Sequence, residues 1–540
     1  MNVCRITVFL LAALALPAAA QHTSTGSAKA QNTAGQTSPA QGPDQAANNL
    51  ATDSNGVYTI TSNARIVVLD MVVTDSKGNV VTDLKKDDFH VTESNEPQTV
   101  QNFEAAGAQT LAPQLSINST STLDKVAPRA PVNIVLLDEF TTRFEDMAFA
   151  RYSLKKFLER QPGKLSTPTM LVAVSLQNFT VLHDYTQNKD ELLSALNHHF
   201  AAYPWQVHQY TWLAERYGTA FFTLRRVALA TMGHPGHKNM IWIGRGFPNL
   251  NMANYPVDTE QRVATAVQEC VNTLRDARIT LYTIDPAGLQ MDPQTYGSDA
   301  AITDPFGGNY QFAKLAEATG GRALYGRNDV DAEIGSAIRD GAAFYTLTYR
   351  PTNDSLDPQK FRRIKVTVDR PGLKVMTREG YYLDYKPEQT NPVKPSKLLV
   401  ADLVLADTST MVYDGVPVSA THLASSPETF DIHVDAKGLV WSDADGAEPR
   451  RAEVILVTST FDKKNKELKR DAKIIHATTT SPAPAEGRLE RALDIHYLMP
   501  HDPKATRVRF VVRVEATGRI GTADIDLRRP VSPMAATATP

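Results

Sequence analysis

Two acids and two hydroxyls stand together where an apolar run stops: Asn133 to Leu137 leads into Asp138, Glu139, Phe140, Thr141 and Thr142. Carboxylate and hydroxyl oxygens gathered at one strand exit are the donors a hard divalent cation such as Mg2+ takes. The same groups can instead cap a following helix or pair with a base. Two more loops share this design: Gly244-Arg245-Gly246-Phe247 after the apolar run Met240 to Ile243, and Asp285 in the exit of ITLYTIDPAG. Asp138, Glu139, Phe140, Thr141, Thr142, Arg245, Phe247 and Asp285 are therefore the candidate binding residues, with Asp138 and Thr142 the candidate metal ligands. No residue is assigned a catalytic role.

The elements that must position them follow from hydrophobic pattern. The run before Asp138 has no polar alternation, as in a strand buried on both faces. Phe144 to Arg160 places Met147, Ala150, Leu154, Phe157 and Leu158 on one helical stripe. TMLVAVSLQ and FTVLHDYT read as a hairpin, with helices over Asp190 to Tyr203, Trp212 to Met232 and Val257 to Ala277. This alternation predicts an α/β domain over 131–340, built on a mainly parallel, doubly wound sheet. Ligands bind such sheets beyond the carboxyl ends of the strands.

The flanks differ in composition. Residues 1–20 combine Arg5, an apolar run from Ile6 to Leu16, and Ala18-Ala19-Ala20, the pattern of a secretory signal peptide. Export to the periplasm or the medium is expected, with no later stretch long and apolar enough to span a bilayer. Residues 21–55 read as a disordered leader, 56–104 as a β module, 105–130 as a linker, 341–386 as a β extension, 398–529 as a β-sandwich and 530–540 as a disordered tail. Cys4 falls in the signal, which leaves Cys270 alone on a helix with Val263, Val267, Val271 and Leu274, a small buried hydrophobe unable to form an internal disulfide. A net charge of -3 offers no electrostatic reason to expect nucleic acid.

Taken in order, VVLDMVVTDSKGNVVTDLKKDDFHVTES, IVLLDEFTT with its helix, PGHKNMIWIGRGFP, LYTIDPAG and FRRIKVTVDRPGLKVMTREGYY resemble the exported bacterial von Willebrand factor A-related domain proteins, over about Ile66 to Leu383. The resemblance implies a Rossmann-like A domain used for binding. It also implies a cation site of Asp-x-Ser-x-Ser type completed by a Thr and an Asp from two other loops. Here Asp138 fits the first position, Thr142 stands for the second Ser, Phe140 replaces the first, and Arg245 occupies the place of the distal carboxylate. Thr219 and Thr223 both remain open for the Thr position.

A guanidinium cannot ligate a cation and repels one. The expectation is a degenerate site, without a required cofactor, in which Arg245 pairs with Asp138. No His-Glu-x-x-His, Gly-x-Ser-x-Gly or phosphate-loop pattern is present. His234 and His237 read as a turn at the far end of the sheet, and Asp443-Ala-Asp445-Gly446 as a hairpin turn. The expected function is an exported, non-enzymatic protein binder whose unknown partner sits on an open rim carrying Phe140 and Phe247. The alternatives are a structural part of an envelope assembly and a carboxylate-dependent enzyme with an enclosed pocket.

Overall fold

A computed structural model describes residues 66–175, 179–200, 211–247, 250–251, 257–288, 309–352, 360–383, 397–422, 428–442, 450–479 and 490–528. All lie within one compact unit, Ala64–Pro540. The expected signal, leader and tail, and the Asp443 to Gly446 turn, lie outside them.

The expected fold class is overturned. The described residues form six sheets, five of them antiparallel and one mixed, so the chain is mostly β and not a doubly wound parallel α/β protein flanked by separate β modules. Periodicity identifies strands, but partner choice depends on which distant segment covers each face.

The N-terminal β strands are not a module of their own. Val67–Thr74 lies between Tyr345–Tyr349 and Lys374–Thr377, and Phe89–Glu93 pairs with Arg362–Val368, all antiparallel. Segments separated by about 270 to 310 residues thus close two four-stranded sheets over one core of Val67, Leu69, Met71, Val73, Tyr345, Leu347 and Ile364. Inside that core Glu93 is fully buried yet satisfied, accepting from Tyr349 at 2.6 Å, from Arg362 at 3.0 Å and from Tyr381 at 3.2 Å. Burial and that carboxylate push the Tyr349 phenol far up.

The mixed sheet runs Ala323–Leu324, Ile279–Ile284, Lys238–Ile243, Val132–Asp138, Lys164–Val174, Phe179–Asn188. The last strand is antiparallel to its neighbour, as the hairpin reading required. Successive strand residues feed two cores, Ile134, Leu136, Met240 and Trp242 on one side and Val135, Leu137, Ile241 and Ile243 on the other. This explains why the strand sequences show no polar alternation. Asp70, on the outward face of its strand, ties the N-terminal sheet to this one. It takes Arg278 at 2.5 and 3.1 Å and His237 at 3.1 Å. Burial opposes the charge of Asp70, yet Arg278 and His237 hold its carboxyl well below the ordinary range.

The C-terminal region packs a three-stranded sheet on a four-stranded one around Phe430, Ile432, Val454, Leu456 and Phe510. It is preceded by a helix the sequence reading missed, Lys397–Thr408. KLLVADLVLADT is apolar on nearly every side, so it has no marked amphipathic stripe. It is covered from both directions: Asp402 accepts a bidentate Arg225 at 2.7 and 2.8 Å, and Asp407 takes Arg470 at 2.7 Å. Among the described residues no helix is long and apolar enough to cross a membrane, which says nothing of β-barrels.

Candidate functional site

The carboxyl rim of the mixed sheet is assembled by backbone bonds that continue its ladder past the strand ends. Glu139 N donates to Val174 O at 2.8 Å, Gly244 N to Ile284 O at 2.9 Å and Asp285 N to Leu324 O at 2.9 Å. The loops carrying Asp138, Arg245 and Asp285 therefore stand side by side, as the sequence reading expected of them.

Asp138 is the hub. Its residue is fully buried, and its carboxyl accepts from Thr141 N at 2.9 Å, Trp242 Nε1 at 3.0 Å, Gly246 N at 3.0 Å, Phe140 N at 3.3 Å and the Thr141 hydroxyl. Burial raises this carboxyl above the ordinary range, while the bonds from Thr141, Trp242 and Gly246 pull the other way. Glycine is required at 244 and 246. A Cβ on Gly244 would lie 2.4 Å from Asp138 Cβ, and Gly246 has φ of 63° with the Phe312 ring against its missing Cβ.

This donor set does not fit a divalent cation. Both oxygens of Asp138 already face N–H and O–H donors, so their lone pairs are directed at protons rather than at a vacant coordination position. Thr142 Oγ1 accepts from Arg245 N at 3.4 Å, and neither Thr219 nor Thr223 is among the partners of Asp138. Among the described residues no group of three or more His, Cys, Asp or Glu side chains is arranged to hold a metal.

Arg245 does not pair with Asp138. Its guanidinium lies between Asp146, at 3.5 Å, and Asp285, at 3.7 Å. Neutral donors from the turn that follows Asp138, from Trp242 and from Gly246 already fill the space around the carboxylate, so the arginine extends past it to Asp146 and Asp285. Burial raises the Asp146 carboxyl, with Arg245 opposing. Beyond this group, Glu333 in the first turn of helix Val330–Ala342 buries both carboxylate oxygens without a hydrogen-bond partner. Burial, then the nearby Asp329 and Asp285 charges, push it up to about 7. Sequence reading passed over Glu333, because an acid in a first helical turn is ordinarily a solvated dipole partner.

Glu139 points to the opposite side of the Asp138 loop. There it meets His199 Nε2 at 2.7 Å, with Arg151 at 3.9 Å also donating to the His199 and Leu196 carbonyls. Phe140 and Phe247 do not form an exposed rim: they are 1% and 2% exposed. Phe140 packs edge-on against Trp242, and Phe247 sits among Tyr217, Phe221 and Phe312. Apolar side chains beside a strand exit turn under the loop when a helix roofs the sheet there. Among the described residues, Phe200 beside His199 is 88% exposed, and two further exposed aromatics at this rim are Phe144, 55% exposed, and Tyr325, 42% exposed. They follow strand ends three positions apart in the sheet, about 14 Å. Phe144 shares the helical stripe of Met147 in sequence, but in the first turn its side chain leans toward the rim rather than the core.

No protein-family model matches the chain, and no curated protein matches it. Among solved structures, the chain is similar to proximal thread matrix protein 1 from the mussel byssus at 14% identity, covering 32% of this chain and 39% of that one with a TM-score of 0.19. It is similar to Bacteroides uniformis β-glucuronidase at 15% identity, covering 34% and 18% with a TM-score of 0.11. It is similar to the pilus adhesin SpaC from Lactobacillus rhamnosus GG at 9% identity, covering 83% and 62% with a TM-score of 0.24. The chain thus spans well under half of the first two. At these TM-scores the likenesses carry neither a fold assignment nor a function, and they lend no support to a von Willebrand factor A-related family.

Proposed function

We propose that this chain is an exported, non-enzymatic binding protein that holds a protein partner on the carboxyl rim of its mixed sheet. The observation that carries the reading is the pair of exposed aromatics, Phe144 and Tyr325, above a rim whose polar residues are turned inward. Aromatic side chains on a preorganised scaffold supply contact area at low entropic cost, and interface centres are enriched in them. Arg143, Glu145 and Arg327 are exposed beside them and provide a polar border. Export rests on the N-terminal pattern of charge, apolar run and Ala-x-Ala alone.

The test is a photo-crosslinking residue placed at 144, at 325 and, as a control on the N-terminal sheets, at exposed Asp87. Crosslinking is done in intact cells that export the chain. One discrete adduct from 144 and 325, absent from 87 and lost in the Phe144→Ser, Tyr325→Ser variant, is the expected result. Equal capture at all three positions, or none at the rim, defeats the reading. N-terminal sequencing of the same material should begin at Gln21.

A further inference from the structure

We infer that the seam between the N-terminal sheets and the mixed sheet holds a binding site for a small monocarboxylate, on the guanidinium of Arg378. Lys374–Thr377 is an edge strand of one N-terminal sheet, and Arg378 is the residue at which the chain leaves it. Two helices from the mixed-sheet region end against this corner. After Phe312–Ala318, Glu379 N donates to Ala318 O at 3.2 Å, and Gly320, with φ of 91°, comes so near that a Cβ on it would lie 2.7 Å from Arg378 N. At the end of Val257–Asp276, Arg275 donates to Tyr382 O at 3.3 Å and its guanidinium carbon is 5.5 Å from the Tyr381 ring centre.

Arg378 is 7% exposed, and among the described residues its guanidinium makes neither a hydrogen bond nor an ion pair, with Nη1 wholly enclosed. The carboxylates around it are engaged elsewhere. Asp70 takes Arg278 at 2.5 and 3.1 Å and the Thr346 hydroxyl at 2.8 Å, and Asp276 takes Arg275 at 2.8 Å. Glu379, the next residue, lies among the charges of Arg363, Glu317 and Lys314 instead. One guanidinium is therefore left in excess. Burial, then the Arg275 charge, push it down to about 10, with Asp276 and Asp70 opposing, so it stays protonated at neutral pH. A buried cation is seldom left without a counter-charge.

Water can accept from a guanidinium but cannot balance its charge. A carboxylate does both, because its two oxygens match two parallel N–H groups; a chloride sphere cannot meet that fork. Two helices bring the partial negative charge of their carboxyl ends to the corner, which disfavours a dianion such as phosphate. The little surface that Arg378 keeps admits an acid of the size of acetate rather than a peptide.

The experiment is amide exchange with mass spectrometry on the full chain at pH 7, in acetate, chloride or phosphate at equal ionic strength. For a Kd of about 5 mM, about 50 mM acetate should slow exchange in peptides spanning 374–382 about tenfold, with chloride changing it less than about twofold and phosphate falling between. Strand Thr429–Val434 is the control and should not respond. Arg378→Met should abolish the acetate effect, and Arg378→Lys, which keeps the charge without the fork, should reduce it. The parent comparison decides the matter even if Arg378→Met does not fold. No slowing by acetate, an equal effect of chloride, or an acetate effect that persists in Arg378→Met would overturn the inference.

Discussion

Glu333→Gln tests the electrostatics of the rim. Both oxygens of Glu333 are buried without a partner, and Asp329 and Asp285 add negative charge nearby. The carboxyl is pushed from its ordinary 4.5 up to about 7, so between those pH values the folded chain keeps a proton that the unfolded chain releases. Stability is then highest below pH 4.5 and falls as pH rises through the window. The full gap between the two values is about 3 kcal/mol; screening of a partly solvated helix end reduces this to about 2 kcal/mol.

Glutamine has the same shape and no charge, so it abolishes the slope. In a chain with several cores, local opening is the better readout. Amide exchange of helix Val330–Ala342, followed by mass spectrometry and corrected for intrinsic rates, should show equal protection in parent and variant at pH 4.5. At pH 7.5 the parent should be about 30-fold less protected, the equivalent of 2 kcal/mol. A parent-to-variant ratio that does not change with pH would refute the reasoning, because it would mean that Glu333 finds a proton donor or water in the folded chain.

Three further outcomes follow from the same geometry. Asp138→Ala leaves the buried Thr141 N, Trp242 Nε1 and Gly246 N donors without their acceptor and should cost about 3 kcal/mol or more, read as a lowered unfolding midpoint with early exposure of Trp242 fluorescence. Gly244→Ala places a methyl 2.4 Å from Asp138 Cβ at a φ of 149° and should cost about 2–4 kcal/mol, seen as loss of soluble protein or a lower thermal midpoint; an unchanged midpoint would contradict the rim packing. Burial pushes the Cys270 thiol up to about 12, so peptide mapping after iodoacetamide at pH 8 should find it unmodified in the native chain and modified in denaturant.

The sequence by itself determined the local elements and one junction. The unbroken apolar strand ending at Asp138, the hairpin that follows the next helix and the burial of Cys270 all depend on periodicity or side-chain type, which act over a few residues. That the Asp138, Arg245 and Asp285 loops share a rim was also legible, because each ends an apolar run of the same kind.

Tertiary structure alone decided the rest. Nothing in Val67–Thr74 announces that its neighbours are Tyr345–Tyr349 and Lys374–Thr377, so a separate N-terminal module was expected where an interleaved antiparallel pair of sheets forms. The mostly β architecture follows from such long-range choices. Around Asp138 the same limit applies: the residue types could suit a cation or an arginine, but the Trp242 indole and the Gly246 amide, about 100 residues away, arrive first and satisfy the carboxyl. Which aromatics face solvent is likewise a matter of what covers them. Phe140 and Phe247 pack beneath the loops while Phe144 and Tyr325 stand out, a distinction set by the helices laid across the sheet and not by the residues themselves.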